Sequence, residues 1–277
     1  MRDQLHAGSR VPLAAMVVAV LGSATVVATS VISVEQEIAI GKDAQAQVEK
    51  QVPRLGDART DAYVRQVGRR LLDAVGRTRY PFSFTVADDR AINAFALPGG
   101  PIWIHRGVFE HMRTESAVAG VLAHEIAHVT ERHAADQLTK ALMARMGLGL
   151  LGAMLGSGGG ATTAEFAARF LASGLFMRFS RDDEREADRV GLQTLVKAGW
   201  DARGMTDLMT VLGEASARDP GSVERFFSTH PSPQERLDRL HADVARFGGR
   251  GRRDSPAFQS LKRHLATLPP ARTQSAR

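Results

Sequence analysis

Hydrophobic positions recur along this chain in a helical rhythm, interrupted by one short stretch of alternation. The first run differs from the rest. Residues 11–34 (VPLAAMVVAVLGSATVVATSVISV) carry no charge over 24 positions, and roughly 20 apolar residues suffice for a membrane-spanning helix. Arg2 and Arg10 precede the run, while Glu35 and Glu37 follow it. That asymmetry puts the N-terminus in the cytoplasm and the body outside. Residues 1–34 therefore read as an anchor, or as a signal segment cleaved near Ala28-Thr29-Ser30. In either case the remainder is exported.

After this run, residues 35–51 read as a polar helix stopped by Pro53. Val64, Val67, Leu71 and Val75 mark a helix over 57–75. Phe82, Phe84 and Val86 alternate with polar residues and predict a strand. Residues 93–97 and 102–105 flank Pro98-Gly99-Gly100-Pro101, which predicts a hairpin or a bent edge strand. Thr114 is placed to cap a helix running to about His133. Residues 146–164 lack charge but hold seven glycines, and read as a Gly-rich apolar loop. Helices follow over 184–198 and 205–217. Ser232-Pro233-Gln234-Glu235 has the capping-box form and opens a helix to about Arg246. Gly248-Gly249 reads as a hinge, with a short amphipathic helix over 256–268. The pattern is mostly helix with a small sheet.

Charge and composition change this picture at one point. The chain of 277 residues has a formal net charge of +6, which raises the question of nucleic acid. Residues 246–277 hold eight bases against Asp254, however, so residues 1–245 sum to −1. A neutral body with a basic tail argues against a nucleic-acid binder. The tail beyond the hinge (247–277) is expected to lie free in solution or on anionic lipid. Cysteine is absent, which excludes disulfides, thiolate metal sites and a cysteine nucleophile.

The chemistry concentrates in VLAHEIAHVTERH. His124 and His128 stand four apart and share one face of a helix, so both imidazoles can reach one ion. Glu125, turned about 100° away, can stand beside the metal and accept a proton from water. A third ligand is needed. A histidine six places after His128 would supply it in one known long motif, but Ala134 stands there, with His133 one place off. The third ligand is therefore expected to be a carboxylate: Glu165, Glu184 or Glu186. Glu184 shares a face with Ala187, Gly191 and Leu195, which favours it. Asp188, one turn later, suits a supporting bond to His124 or His128.

These pieces, with NAFALPGGPIWIHRGVF, SRDDEREADRVGLQ, AGWDARGM and STHPSPQERLDRL in the same order, resemble the HtpX/BepA/Ste-type gluzincin zinc metallopeptidases. The resemblance spans about residues 35–245, and a peptidase domain over 35–246 is expected. It implies an α+β, mostly helical, zincin-like domain with an active-site helix beside a small sheet. It places one Zn2+ on His124, His128 and Glu184, the general base at Glu125, and the neighbouring carboxylate at Asp188. His230 falls on the family's His-Pro element, either assisting the oxyanion or latching the open zinc position. Residues 93–97 and 102–105 match an edge strand that binds extended peptide. His105 and His111 match no ligand position and are expected to be structural. The implied substrates are misfolded or unassembled envelope proteins. The implied location is the bacterial envelope, anchored in the inner membrane or periplasmic if the first segment is cleaved. HtpX-like members carry further membrane spans and BepA-like members carry helical repeats; this sequence shows neither pattern. An assembly factor with a latched, weakly proteolytic site is the alternative.

Overall fold

The computed structural model describes residues 30, 32–154, 178–231, 233–247 and 249–273. The expected anchor or signal segment, Glu165 and the Ser232 cap lie outside these residues. No helix among the described residues is long and apolar enough to cross a membrane.

Helix α1 (Val34–Gln51) opens on a capping box made by Ser33 and Gln36. Helix α2 (Ala58–Val75) follows an Asp57 cap. Strands β1 (Ser83–Ala87), β2 (Ala94–Ala96) and β3 (Pro101–His105) form a sheet in the order β1-β3-β2. β1 runs parallel to β3, and β2 pairs antiparallel with it, Phe95 opposite Trp103. Gly99 and Gly100 take the turn between β2 and β3 at φ 75° and 118°, a region that favours glycine. β3 is thus the central strand. The expectation that 102–105 belongs to an exposed edge is corrected: β3 is flanked on both sides, with β1 and β2 as the outer strands. Period-two alternation buries both faces of β3. Ile102 and Ile104 join the main core, while Trp103 packs with Phe95, Leu97, Ala135 and Leu138 on the other side.

Helix α3 (Arg106–His111) leads to α4 (Glu115–Thr130), whose Thr114 cap accepts from the Ala117 N–H. Nearly every residue of α4 is buried. α4 does not run on to His133 as the sequence suggests. It ends at Thr130, Arg132 adopts φ 63°, and α5 (His133–Met154) starts in a new direction. The supposed loop over 146–164 is also corrected at its start. Residues 146–154 continue α5, where Leu, Met and Ala outweigh single glycines, and 155–164 lie outside the described residues. Helices α6 (Arg181–Lys197) and α7 (Arg203–Arg218) pack along α4, followed by α8 (Glu224–Thr229), α9 (Pro233–Phe247) and α10 (Pro256–Leu265).

The basic tail is no tail. Phe258, Leu261 and Leu265 of α10 are buried in the main core. Arg252 forms a β-bridge with Trp200 and pairs with buried Glu115 at 2.8 Å. Glu115 also accepts from Tyr63, Trp200 and Ser255. Arg253 meets Asp207 at 2.9 Å and Arg272 meets Asp88 at 3.2 Å. The apolar stripe of α10 and the acids of the body hold residues 249–273 against the domain rather than free in solution.

Asp57 ties α2 to this segment. Its carboxylate accepts from the Thr60 N–H at 2.8 Å and lies 3.0 Å from His264 Nε2. Partial burial opposes its charge, but Thr60 and His264 outweigh it and bring its pKa down to about 2. A lowered carboxylate pKa contributes stability above the ordinary value near 3.9 and loses it as pH falls towards 2. Asp57→Ala should lower unfolding free energy by about 1 kcal/mol at pH 7. In urea melts the gap to wild type should close by pH 2; a gap that persists there would show that the cap acts without its charge.

Candidate metal centre

α4 presents His124 and His128 on one face, with their Nε2 atoms 3.0 Å apart. Glu184, in the first turn of α6, lies over both. Its Oε2 is 3.5 Å from His124 Nε2 and its Oε1 is 3.3 Å from His128 Nε2. α6 approaches this closely because Gly191 meets the α4 backbone. A Cβ there would stand 3.1 Å from the His124 nitrogen and 3.2 Å from the Ala123 carbonyl. His230, just past α8, places Nδ1 2.8 Å from Glu184 Oε1. One ligand atom from each of His124, His128, Glu184 and His230 lies within 4.8 Å of the others, and all four residues are buried.

These residues fit a metal. His124 Nδ1 faces Asp188 Oδ1 at 3.0 Å, so in the neutral, metal-binding form of the ring the proton sits on Nδ1 and the Nε2 lone pair points inward. Glu184 Oε2 lies 3.5 Å from His124 Nε2 and 2.5 Å from the buried Arg236 guanidinium. Two imidazole Nε2 atoms and a carboxylate thus converge in a buried space, the donor set that a divalent cation takes up. Tetrahedral zinc with bonds near 2.0–2.1 Å needs ligand atoms about 3.3 Å apart, close to the spacings seen here. Imidazole with carboxylate suits zinc among divalent ions.

The electrostatics follow from burial and neighbours. Burial opposes ionisation of Glu184, yet His230 and Arg236 hold its carboxyl well below the usual range. Asp188 is likewise lowered against burial by Arg236. Burial disfavours a charged His124, but Asp188 and Glu184 raise its pKa to about 9. Burial dominates at His128 and lowers it well below its ordinary value. Glu125 is fully buried, and neither carboxylate oxygen has a hydrogen-bond partner of good geometry. Burial raises its pKa, opposed by His230, His124 and the Ala96 backbone amide. His230 Nε2 is 3.7 Å from Glu125 Oε1.

The structure therefore gathers His124, Glu125, His128, Glu184, Asp188 and His230 around one point. Glu186 stays outside, half-exposed and facing His133. His105 and His111 also stay outside. His105 is buried 3.7 Å from Asp89, and His111 Nδ1 lies 2.8 Å from the Gly107 carbonyl.

Sequence reasoning missed three neighbours. Buried Arg236 of α9 donates to both Asp188 oxygens at 2.7 Å and meets Glu184 at 2.5 Å. It lies one helical turn before Leu240 and two before Val244, both buried, and that spacing was the available signal. Phe179 stacks on the His128 ring at 3.7 Å; nothing in its local pattern marks it. His133 Nδ1 lies 2.8 Å from His128 Nδ1.

A helix bearing two histidines, a small mixed sheet beside it and a glutamate from a later helix together define a zincin-like metallopeptidase domain. Comparison narrows the class. The model of Peptidase family M48 matches residues 58–244, and the chain belongs to this family of zinc metalloproteases. It is 34% identical over 221 residues to a putative beta-barrel assembly-enhancing protease of Vibrio cholerae, covering 76% of this chain and 44% of that protein. The beta-barrel assembly-enhancing protease of Escherichia coli is 34% identical over 219 residues, with the same coverage of 76% and 44%. The mitochondrial metalloendopeptidase OMA1 of Schizosaccharomyces pombe is 31% identical over 181 residues, covering 65% of this chain and 52% of that protein. The chain spans less than half the length of these bacterial relatives.

Proposed function

We propose that this chain is a zinc metalloendopeptidase of the bacterial envelope that cleaves misfolded or unassembled envelope proteins. His124, His128 and Glu184 are its metal ligands, Glu125 is its general base, and residues 1–34 are its anchor or signal. The observation that carries this reading is the set of four converging buried ligand groups with the fully buried Glu125 carboxylate beside them. A buried acid whose oxygens make no hydrogen bond of good geometry is costly unless it has work to do.

Zinc, when bound, polarises the scissile carbonyl and makes water acidic enough to attack near neutral pH. Glu125 takes the proton from the attacking water and returns it to the leaving amine. Asp188 holds the His124 ring, and Arg236 holds Asp188. β2 supplies the substrate seat. Asn93 and Leu97 bond to His105 and Pro101, so the N–H and C=O groups of Ala94 and Ala96 point away from β3. An extended peptide can add there as a strand, with its carbonyl near Glu125. Support for the substrate class is that the bacterial relatives are named as beta-barrel assembly-enhancing proteases.

A chelator assay tests the reading. Cleavage of an unfolded β-barrel polypeptide should stop when zinc is stripped and return when zinc is restored. Hydrolysis that is indifferent to chelation would end the proposal.

The seat of His230 favours a second feature, a latch. The Glu184 carboxylate only accepts, so a neutral His230 carries its proton on Nδ1 and turns a lone pair at Nε2 into the site. That form is a ligand, not an oxyanion donor. His230→Ala should therefore raise cleavage of unfolded substrate several-fold. A fall of tenfold or more would assign His230 to oxyanion support.

A further inference from the structure

The two histidines of α4 are held by different partners. His124 leans on a carboxylate, Asp188, the usual arrangement for a metal-binding imidazole. His128 instead faces a second imidazole. His128 Nδ1 and His133 Nδ1 are 2.8 Å apart, both residues are buried, and the ring planes cross at 74°. On the far side, His133 Nε2 lies 3.5 Å from Glu186 Oε2.

Helical geometry does not produce this contact by default. Five residues along an unbroken helix, His133 would point about 140° away from His128. The ring returns because the chain breaks at Arg132, which adopts φ 63°, a conformation that non-glycine residues rarely take. Arg132 is kept there by its side chain, which donates to Glu37 and to the Ile32 carbonyl. The left-handed residue and the imidazole pair are separate observations, and both place His133 against His128.

We propose that His133 is a positioning residue for the metal ligand His128, and that Glu186 completes the chain. The inference rests on the metal-site reading above. For His128 to turn an Nε2 lone pair to the metal, its proton must sit on Nδ1. Its acceptor there is His133 Nδ1, which must be unprotonated, so His133 carries its proton on Nε2, on the side where the Glu186 carboxylate lies 3.5 Å away. One proton arrangement thus fixes the tautomer of both rings. Phe179, stacked on His128 at 3.7 Å, fixes the ring plane but offers no acceptor.

The test uses the full chain in detergent and zinc itself as the probe. Zinc affinity is measured by competition with a chromogenic chelator for wild type, His133→Leu and His133→Asn. Removing such a partner typically weakens metal affinity about 10–100-fold, and that loss is expected for His133→Leu. His133→Asn offers a side-chain amide oxygen near the Nδ1 position and should recover most of the affinity. Equal affinity in all three proteins overturns the proposal, as does an equal loss in both variants. A wild type that binds no zinc instead overturns the metal-site reading on which it rests. Should a variant fail to fold, 15N spectra of histidine-labelled, zinc-loaded wild type decide. His133 is expected as the Nε2–H tautomer with Nδ1 unprotonated; a proton on His133 Nδ1 overturns the proposal.

Discussion

Glu125→Gln should lower peptide cleavage by about 10²–10⁴-fold, the range general acid–base catalysis supplies, while the protein still binds one zinc per chain. Gln keeps the volume of the side chain and removes its ability to take a proton. The position suits a large effect. Glu125 is enclosed, with His230, His124 and Glu184 around it and no hydrogen-bond partner of good geometry. Water that enters the site meets no other unpaired carboxylate so close to the ligand cluster among the described residues. Cleavage rates on unfolded substrate, read beside metal content, make the comparison. A variant that loses zinc as well as activity would move Glu125 from the chemistry to the construction of the site. A variant as active as wild type would remove the proposed mechanism.

Arg236→Leu should destabilise the protein by about 3–5 kcal/mol, because it leaves buried charges without their counterpart. Arg236 lies between Asp188 and Glu184 and meets both within 2.7 Å. Without it, two carboxylates remain in the interior of the α4–α6–α9 packing. For a domain of this size, that corresponds to a fall in Tm of roughly 10 °C. Bound zinc should recover part of the loss, since it neutralises Glu184. Arg236→Lys should recover little, because an ammonium cannot reproduce the two-pronged contact with Asp188. Melts with and without zinc check each expectation. An unchanged Tm in the metal-free protein would show that Asp188 and Glu184 find another counter-charge.

Much of the site was legible in the sequence because its parts are local. The HExxH spacing, the face shared by Glu184 and Asp188, and the Thr114 cap are each decided within a few residues. What escaped depends on the chain meeting itself at a distance. Arg236 is one arginine among many until α9 folds its Leu240 face inward. The sequence pattern carries α4 on to His133, since neither Gly nor Pro marks the break that Arg132 makes. In residues 247–277 charge is the most visible feature of the sequence. Yet the amphipathic pattern around Phe258 and Leu261 was present, and what was missing was the acidic and apolar surface that receives it. The hairpin around Gly99-Gly100 was legible, but its place in the sheet was not, because β1 joins β3 in parallel from outside the hairpin.

Gly191 sets a mechanical division within the site. Where two helix backbones touch without side chains between them, little can yield. His124, His128 and Glu184 therefore form one stiff unit, and the distance between the two histidines and the glutamate is gauged by backbone contact. His230 stands on the short segment after α8 and has no such gauge. An ion of different radius, or a coordination shell that expands as substrate arrives, must be accommodated on the His230 side. Compliance in this centre has a direction, set by a residue with no side chain.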